Sequence, residues 1–205
     1  MKPLVFLDLE TTGLNPSRHE ILEIGAIRVD GESFHETARI ELRVLPERIE
    51  TADPVALAMN GYSPVTWKDA LPLASALASL SPLLDGCQLA GHNVCFDRGF
   101  LDAAWRRTRV TPPKMDHHIL DTASLAWPLL GAGIVDSLSL STVCRRFGIS
   151  TERSHRALPD AERSLKLARV LLPVDILRVY ALSFIETVAP DDQEPAQYVS
   201  PKERS

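Results

Sequence analysis

Two acidic residues stand two positions apart near the start of the chain. Asp8 and Glu10 belong to the apolar run of residues 4–10, which predicts a β-strand. Because side chains alternate between the faces of a strand, both carboxylates project from one face near its carboxyl end. Such a pair repels unless a cation lies between the groups, and carboxylate oxygens favour hard ions such as Mg²⁺ or Mn²⁺. The pair alone is a weak signal, since Glu10 can equally end the strand in solvent.

Three further residues, far away in the sequence, could complete such a site. Asp97 begins a predicted helix just after the polar run GHN at 91–93, and Asp160 opens a later predicted helix. An acid at a helix N-terminus also has an ordinary role, because it offsets the helix dipole. His155 precedes Asp160 in the loop that leads to that helix, and an imidazole there can take a proton near neutral pH. Taken singly, it is more typical of a surface histidine.

These residues fall in three short runs: FLDLETTGL at 6–14, GHNVCFD at 91–97 and HRALPDA at 155–161. In this order they resemble the three motifs of the DEDDh family of 3′-to-5′ exonucleases, and the resemblance covers about residues 4–172. That family includes the proofreading subunit of the bacterial replicative polymerase and oligoribonuclease. A sister group carries tyrosine four residues before the last aspartate. Arg156 occupies that position here, so the histidine variant is the match.

The resemblance implies an α/β, ribonuclease-H-like fold, with a mixed five-stranded sheet whose second strand is antiparallel and with helices on both faces. It implies two divalent cations, Mg²⁺ or Mn²⁺, with Asp8 bridging them. Glu10 and Asp160 would complete the first cation site, and Asp97 would support the second, partly through water. His155 would activate the attacking water, and each cycle would release a nucleoside 5′-monophosphate.

The same resemblance implies contacts to the nucleotide. Residues of two motifs would hold or surround the terminal nucleotide, namely Thr11, Gly13, Leu14, His92, Asn93 and Phe96. Leu14 and Phe96 are equally typical of core residues. A single-stranded or frayed 3′ end is the expected substrate, with DNA first and RNA or short oligonucleotides as the alternative. A non-catalytic binding subunit with the same fold is the alternative from another class.

Composition fits one globular domain. The chain has 205 residues, 45% of them hydrophobic and 24% charged. We expect an exonuclease domain over residues 1–186 and a disordered tail over 187–205. The amphipathic stretch 174–185 could bind a polymerase subunit or a second copy, or pack on its own domain. No secretory signal or membrane segment is predicted, and Cys87, Cys95 and Cys144 form no CxxC pair, so we expect a cytoplasmic protein.

The net charge of −5 argues only weakly against a nucleic-acid substrate, because residues 96–169 carry 12 basic and 8 acidic side chains. Five arginines in that region could bind a strand or be ordinary surface residues: Arg106, Arg107, Arg109, Arg145 and Arg146. The cluster Asp116-His117-His118 is not expected to hold zinc, because adjacent histidines of a strand point to opposite faces.

Apolar periodicity predicts the elements that must position the site residues. Strands are predicted over 4–10, 21–29, 34–44, 88–93 and near Ile119, with a hairpin turn at Asp30-Gly31. Helices are predicted over 52–59, 67–84, 96–107, 122–130 and 139–147, and from Asp160 to about residue 172. Strands followed by alternating helices and strands indicate an α/β sandwich.

Overall fold

Alternating apolar residues in the first part of the chain build an antiparallel half-sheet. In the computed structural model, which describes residues 1–152 and 155–172, three strands form this half: β1 Leu4–Thr11, β2 Ile21–Val29 and β3 Glu36–Arg43. Two short strands, β4 Gln88–Gly91 and β5 Ile119–Asp121, extend the sheet on the other side of β1 in parallel. The strand order is β3-β2-β1-β4-β5, and the prediction of a mixed sheet with an antiparallel second strand is confirmed.

Seven α-helices lie in the described part of the chain, besides one short 3₁₀-helix at Ile49–Thr51. They are α1 Pro54–Met59, α2 Leu73–Leu84, α3 Val94–Thr108, α4 Thr122–Leu125, α5 Trp127–Gly131, α6 Leu140–Arg146 and α7 Ala157–Leu171. The compact unit covers Met1–Leu171. The segment 174–185 and the tail 187–205, for which we predicted a docking role and disorder, lie outside the described residues.

The two faces of β1 serve different purposes. Val5, Leu7 and Leu9 point to the face covered by α2 and α3, and they belong to the main hydrophobic core. The alternate residues, including Asp8 and Glu10, point to the opposite face, where α7 contacts β1 and β2. Helices therefore cover both faces, as predicted. Because Val5, Leu7 and Leu9 fill the apolar core on one face, the alternation of the strand directs both carboxylates toward α7.

Several predicted boundaries are wrong for local reasons. Helix α2 begins at Leu73 rather than at residue 67, because Pro72 caps it and Leu71 pairs with Val44 in an extended conformation. Trp67 is buried instead, and its indole N–H donates to the carbonyl of Leu22 at 3.2 Å. The predicted helix 122–130 breaks into two pieces at Ala126, since Pro128 has no N–H to continue it.

The turn between β2 and β3 is longer than predicted. The predicted strand 34–44 begins at Glu36, and a six-residue loop replaces the hairpin turn at Asp30-Gly31. The Asp30 carboxylate accepts hydrogen bonds from the backbone of Glu32 and Ser33, and Phe34 adopts a left-handed φ of 56°. Side-chain capping of the loop thus stabilises a wider connection than the residue pair suggested.

Candidate active site

Three carboxylates from opposite ends of the chain meet beside the sheet. Asp8 and Glu10 come from β1, Asp160 comes from the first turn of α7, and one oxygen of each lies within 4.8 Å of the others. Helix α7 begins at Ala157, three residues before the predicted start, so Asp160 lies inside the helix. An all-oxygen set of this kind fits a divalent cation such as Mg²⁺ or Mn²⁺.

Asp97 lies in the first turn of α3 and is tied to the strand that carries the other acids. Its Oδ1 accepts the backbone N–H of Leu9 at 2.8 Å, and the residue is 3% exposed. Leu9 stands between Asp8 and Glu10, so this bond holds the carboxylate of Asp97 beside them. Asp97 is not part of the group of three whose oxygens lie within 4.8 Å of one another.

Crowding of acids changes the proton affinity of the site. Burial, followed by the charges of Asp97, Asp160 and Glu10, raises the pKa of Asp8 well above its usual range. Burial raises the pKa of Asp97 in the same direction. Burial and then the charges of Asp160 and Glu23 raise the pKa of Glu10 to about 8. A bound cation would replace this mutual repulsion by attraction, and the donor set therefore fits a metal centre.

A buried arginine that the sequence analysis missed supports Asp160. Arg163 is 5% exposed and donates to Oδ1 of Asp160, to the carbonyl of Ser150 at 3.0 Å and to the carbonyl of Glu152. The sequence did offer a signal for this pair, because residues three positions apart on one helix are neighbours and can form an ion pair. Arg163 thus connects α7 to the beginning of the loop that leads to His155.

His155 is placed at the rim of the acidic group. Its backbone N–H donates to Oδ2 of Asp160 at 3.0 Å, and its φ of 64° is left-handed, which is uncommon for a residue other than glycine. The side chain is exposed and belongs to the lining of the pocket that contains the acids. An imidazole beside such a group is in place to accept a proton from a water molecule.

One pocket of about 320 Å³ contains all five predicted catalytic residues, a size near the lower end for small-molecule sites. Three residues around the start of α6 that the sequence analysis did not single out also line it, Ser139, Leu140 and Ser141. Serine is common in loops, so its residue type alone gave no signal. The structure therefore adds one wall to the predicted site, the serine wall, which consists of Ser139, Leu140 and Ser141.

The predicted nucleotide-contacting residues divide into two groups. His92, Asn93 and Phe96 line the pocket, whereas, among the described residues, Thr11, Gly13 and Leu14 are outside its lining and follow along the end of β1. Leu14 is 81% exposed, which excludes the alternative of a core residue. Phe96 is half-buried and its ring lies 4.9 Å from that of Phe100, so it contacts both the core and the pocket.

His92 uses both ring nitrogens within the protein. Nδ1 lies 2.9 Å from the hydroxyl of Thr122, and Nε2 lies 2.7 Å from the carbonyl of Leu138. Since a carbonyl only accepts, Nε2 carries a proton. Burial lowers the pKa of His92. The side chain thus joins the end of β4 to the segment before α6 and fixes the serine wall of the pocket.

The sequence analysis also missed two buried glutamates, Glu23 within β2 and Glu20 directly before it. Glu20 is 2% exposed and accepts the backbone N–H groups of residues 47 and 48, and Arg107 of α3 lies 3.4 Å away. Arg107 is therefore an ion-pair residue rather than a freely solvated one. Glu23 is 1% exposed and pairs with Arg156 at 2.9 Å. The available signal was the position of these acids in or beside an apolar strand, because a buried carboxylate requires a positive or hydrogen-bonding partner.

The Asp116-His117-His118 cluster differs from its predicted geometry. The three residues lie in the loop before β5 rather than within a strand, and the two imidazole rings are 3.9 Å apart, so the argument from opposite faces was wrong. Lys2 places its ammonium group 2.5 Å from the carboxylate of Asp116. One ligand atom from each residue of the cluster lies within 4.8 Å of the others, and Lys2 supplies the positive charge beside them.

Comparison with known proteins identifies relatives among nucleases. The family model described as "Exonuclease" matches residues 5–168. A ribonuclease T from Baumannia cicadellinicola subsp. Homalodisca coagulata is 32% identical over 181 residues, which are 80% of this chain and 80% of that protein. A PolC-type DNA polymerase III from Latilactobacillus sakei is 33% identical over 159 residues, which are 77% of this chain and 10% of the polymerase.

Solved structures confirm the fold. A structure of exonuclease I superposes with a TM-score of 0.76 at 20% identity and covers 91% of this chain and 44% of that one. Escherichia coli exonuclease I in complex with a dT13 oligonucleotide gives a TM-score of 0.72 at 21% identity, with 90% and 44% covered. The expected ribonuclease-H-like fold is thus confirmed. No helix within residues 1–152 and 155–172 is long and apolar enough to cross a membrane.

Proposed function

This chain belongs to the exonuclease family, in its DEDDh branch of 3′-to-5′ exonucleases, and we propose that its substrate is the single-stranded or frayed 3′ end of DNA. The observation that carries the assignment is the meeting of Asp8, Glu10 and Asp160 within 4.8 Å, in a pocket that Asp97 and His155 also line. A non-catalytic subunit would have no need for a buried group of repelling acids, so the enzyme is favoured over the binding module.

We further propose that two divalent cations are used, either Mg²⁺ or Mn²⁺. Asp8, Glu10 and Asp160 would hold one, and Asp8 with Asp97 would hold the other. When bound, the cations would supply positive charge to the scissile phosphate and favour deprotonation of water. The chain's own contribution is to hold the four carboxylates against one another, which the hydrogen bond from Leu9 and the contact from Arg163 achieve.

His155 is proposed as the general base. Its imidazole takes a proton from water, whose oxygen forms a bond to the terminal phosphorus while the bond from phosphorus to the 3′ oxygen of the preceding nucleotide breaks. The products are a nucleoside 5′-monophosphate and a strand shortened by one residue, whose 3′ oxygen takes a proton from solvent and becomes a hydroxyl. Exposure of His155 to the pocket allows the imidazole to return its proton to solvent after each cycle.

Two of the similar proteins favour DNA over RNA as the substrate. The PolC relative is named for DNA synthesis, and the exonuclease I structures hold deoxyoligonucleotides. RNA is the second candidate, supported by the ribonuclease T relative and by the hydroxyl groups of Ser139 and Ser141, which can pair with a ribose 2′-hydroxyl. A polymerase partner or a second copy, expected through residues 174–185, stays a prediction.

The test uses DNA and RNA oligonucleotides of one sequence, labelled at the 5′ end, either single-stranded or mismatched at the 3′ end of a duplex. With Mg²⁺ or Mn²⁺ we expect a ladder of products that shorten by one nucleotide, and with chelator we expect none. A 3′-labelled copy should release its label at once as a mononucleotide. Faster cleavage of RNA would replace DNA by the second candidate, and intact substrate with both metals would overturn the proposal.

A further inference from the structure

The residue after His155 lies against the sheet through two acidic partners. Nε of Arg156 donates to Oε2 of Glu23 on β2 at 2.9 Å, and its Nη2 lies 3.4 Å from Oε1 of Glu41 on β3. Glu23 is 1% exposed and has two positive partners: Nε of Arg43 lies 3.5 Å from its Oε1, and Arg156 makes the shorter, hydrogen-bonded contact to its Oε2. The charged hydrogen bond to Glu23 therefore ties Arg156 to β2.

The register of the strands places the Arg156–Glu23 ion pair next to the proposed catalytic acids. Within the antiparallel pair of β1 and β2, Glu23 stands opposite Glu10, and Gly25 stands opposite Asp8. A Cβ atom at Gly25 would overlap the backbone of Ala157, so the start of α7 rests directly on β2 at that position. The backbone N–H of Ala157 also points to Oε2 of Glu23 at 3.5 Å. The start of α7 thus docks on the residues paired with the acids.

Few contacts hold the imidazole ring of His155 itself. Within the described part of the chain, the His155 ring makes no hydrogen bond or ion pair, and its backbone N–H is held by Asp160. The position of the ring therefore depends on the two ends of its own segment. Arg156 holds the following end on β2 and β3, whereas Arg163 holds the carbonyls of Ser150 and Glu152 on the preceding side.

We propose that Arg156 is a positioning residue, and that its ion pair with Glu23 sets the distance between the His155 imidazole and the acids of β1. The inference rests on the proposed function, in which His155 is the base. Because the partner of Arg156 is adjacent across the sheet to Glu10, a shift of the pair would move the imidazole relative to the bound phosphate. A displacement of about 1 Å at such a group can cost on the order of a hundredfold in rate.

The experiment measures kcat and KM on a 5′-labelled single-stranded oligonucleotide for wild type, Arg156→Met and Arg156→Lys, each with His155 present or replaced by alanine. We expect Arg156→Met to lower kcat by about ten- to a hundredfold with KM changed less than about twofold. Arg156→Lys should recover part of the rate, because one ammonium group can pair with Glu23 but cannot reach two carboxylates in a fork. In the His155→Ala background the Arg156 substitutions should have no further effect on kcat.

A matched control comes from another ion pair between the sheet and α7. Arg39 of β3 pairs with Glu162 of α7 at 2.6 Å, on the same face of the sheet but away from the loop of His155. Arg39→Met should leave kcat within about twofold of wild type, since exposed pairs contribute little to stability. If Arg39→Met and Arg156→Met lowered kcat equally, the loss would come from weaker packing of α7 on the sheet in general, and the proposal would be overturned.

Three further results would also overturn it. One is an equal loss of kcat from Arg156→Met with and without His155. Another is a loss that saturating Mn²⁺ restores, because Arg156 would then act through Glu10 and the cation. Should Arg156→Met fail to fold, Arg156→Lys and Glu23→Gln take its place, and wild-type kcat in both would contradict the inference. An inactive wild-type protein would instead refute the proposed function, so the two failures are distinguishable.

Discussion

Replacing Glu10 by glutamine should make the metal-free protein more stable and weaken its response to divalent cations. The folded protein raises the pKa of Glu10 from 4.5 to about 8, chiefly through burial and the charges of Asp160 and Glu23. Between these two values the folded state retains a proton that the unfolded state has released. Stability in chelator therefore falls as pH rises through this window, and the deficit is close to complete above pH 8.

The size of the effect follows from the shift. At about 1.4 kcal/mol per pKa unit, the rise corresponds to at most about 5 kcal/mol, and water that enters the open pocket reduces this to about 2–3 kcal/mol. For a protein of this length, we expect Glu10→Gln to melt about 5–10 °C above wild type in chelator at pH 8.5. At pH 5 the two proteins should melt within about 2 °C of each other, because Glu10 is then protonated in the fold and pH 5 lies only just above the pKa of the unfolded state.

The assay is thermal unfolding followed by circular dichroism, in chelator and in Mn²⁺, from pH 5 to pH 8.5. Mn²⁺ should raise the Tm of wild type most at high pH, where the carboxylates are charged, and should raise that of Glu10→Gln much less. Glu32→Gln is the control, because that glutamate is exposed and its replacement should change neither value. A metal-free Glu10→Gln protein that melts at or below wild type at pH 8.5 would refute the reasoning.

The remaining predictions concern the other residues of the site. Asp8→Ala and His155→Ala should each lower the rate of nucleotide release at least about a hundredfold without loss of the circular-dichroism spectrum, and Asp8→Ala with more than a few percent of the rate would lose its metal-holding role. Gly25→Ala should destabilise the fold by about 1–3 kcal/mol in urea unfolding and lower kcat, because a methyl group overlaps the start of α7. Gly131→Ala, which has open space around it, is its control and should unfold like wild type. Arg163→Met should lower the Tm and raise the Mn²⁺ concentration needed for half-maximal activity, and an unchanged Mn²⁺ requirement would show that this arginine does not orient the acid on α7.

Sequence was most informative where one physical pattern dominated. The bounds of β2 match the prediction, because its apolar residues alternate on either side of Gly25 and Ala26 and the turn residues Asp30-Gly31 follow it. The acids of β1 were only a weak signal by themselves, since a buried carboxylate of a strand can also pair with arginine, as Glu23 of β2 does. Convergence of Asp97, His155 and Asp160 on β1 could not follow from spacing and came from the likeness of three motifs.

Other features depend on contacts that no local pattern records. Both ring nitrogens of His92 are bonded within the protein, which depends on where Thr122 and Leu138 come to lie. The serine wall at the start of α6 follows from that same bridge. Trp67 was predicted to lie in a helix, but it lies outside α2 and its indole N–H donates to the carbonyl of Leu22. In each case a tertiary hydrogen bond decides the outcome, and its partner is distant in sequence.

The order in which the site's parts are synthesised has a further consequence. Strand β1 ends at Thr11 and α7 begins at Ala157, so the two halves of the acidic group come from the start and the end of the compact unit. At about 5–20 residues per second, a ribosome delivers the second half roughly 7–30 s after the first. A nascent chain of this protein therefore lacks Asp160 and His155 throughout that interval. We therefore expect exonuclease activity only after the whole compact unit has been translated.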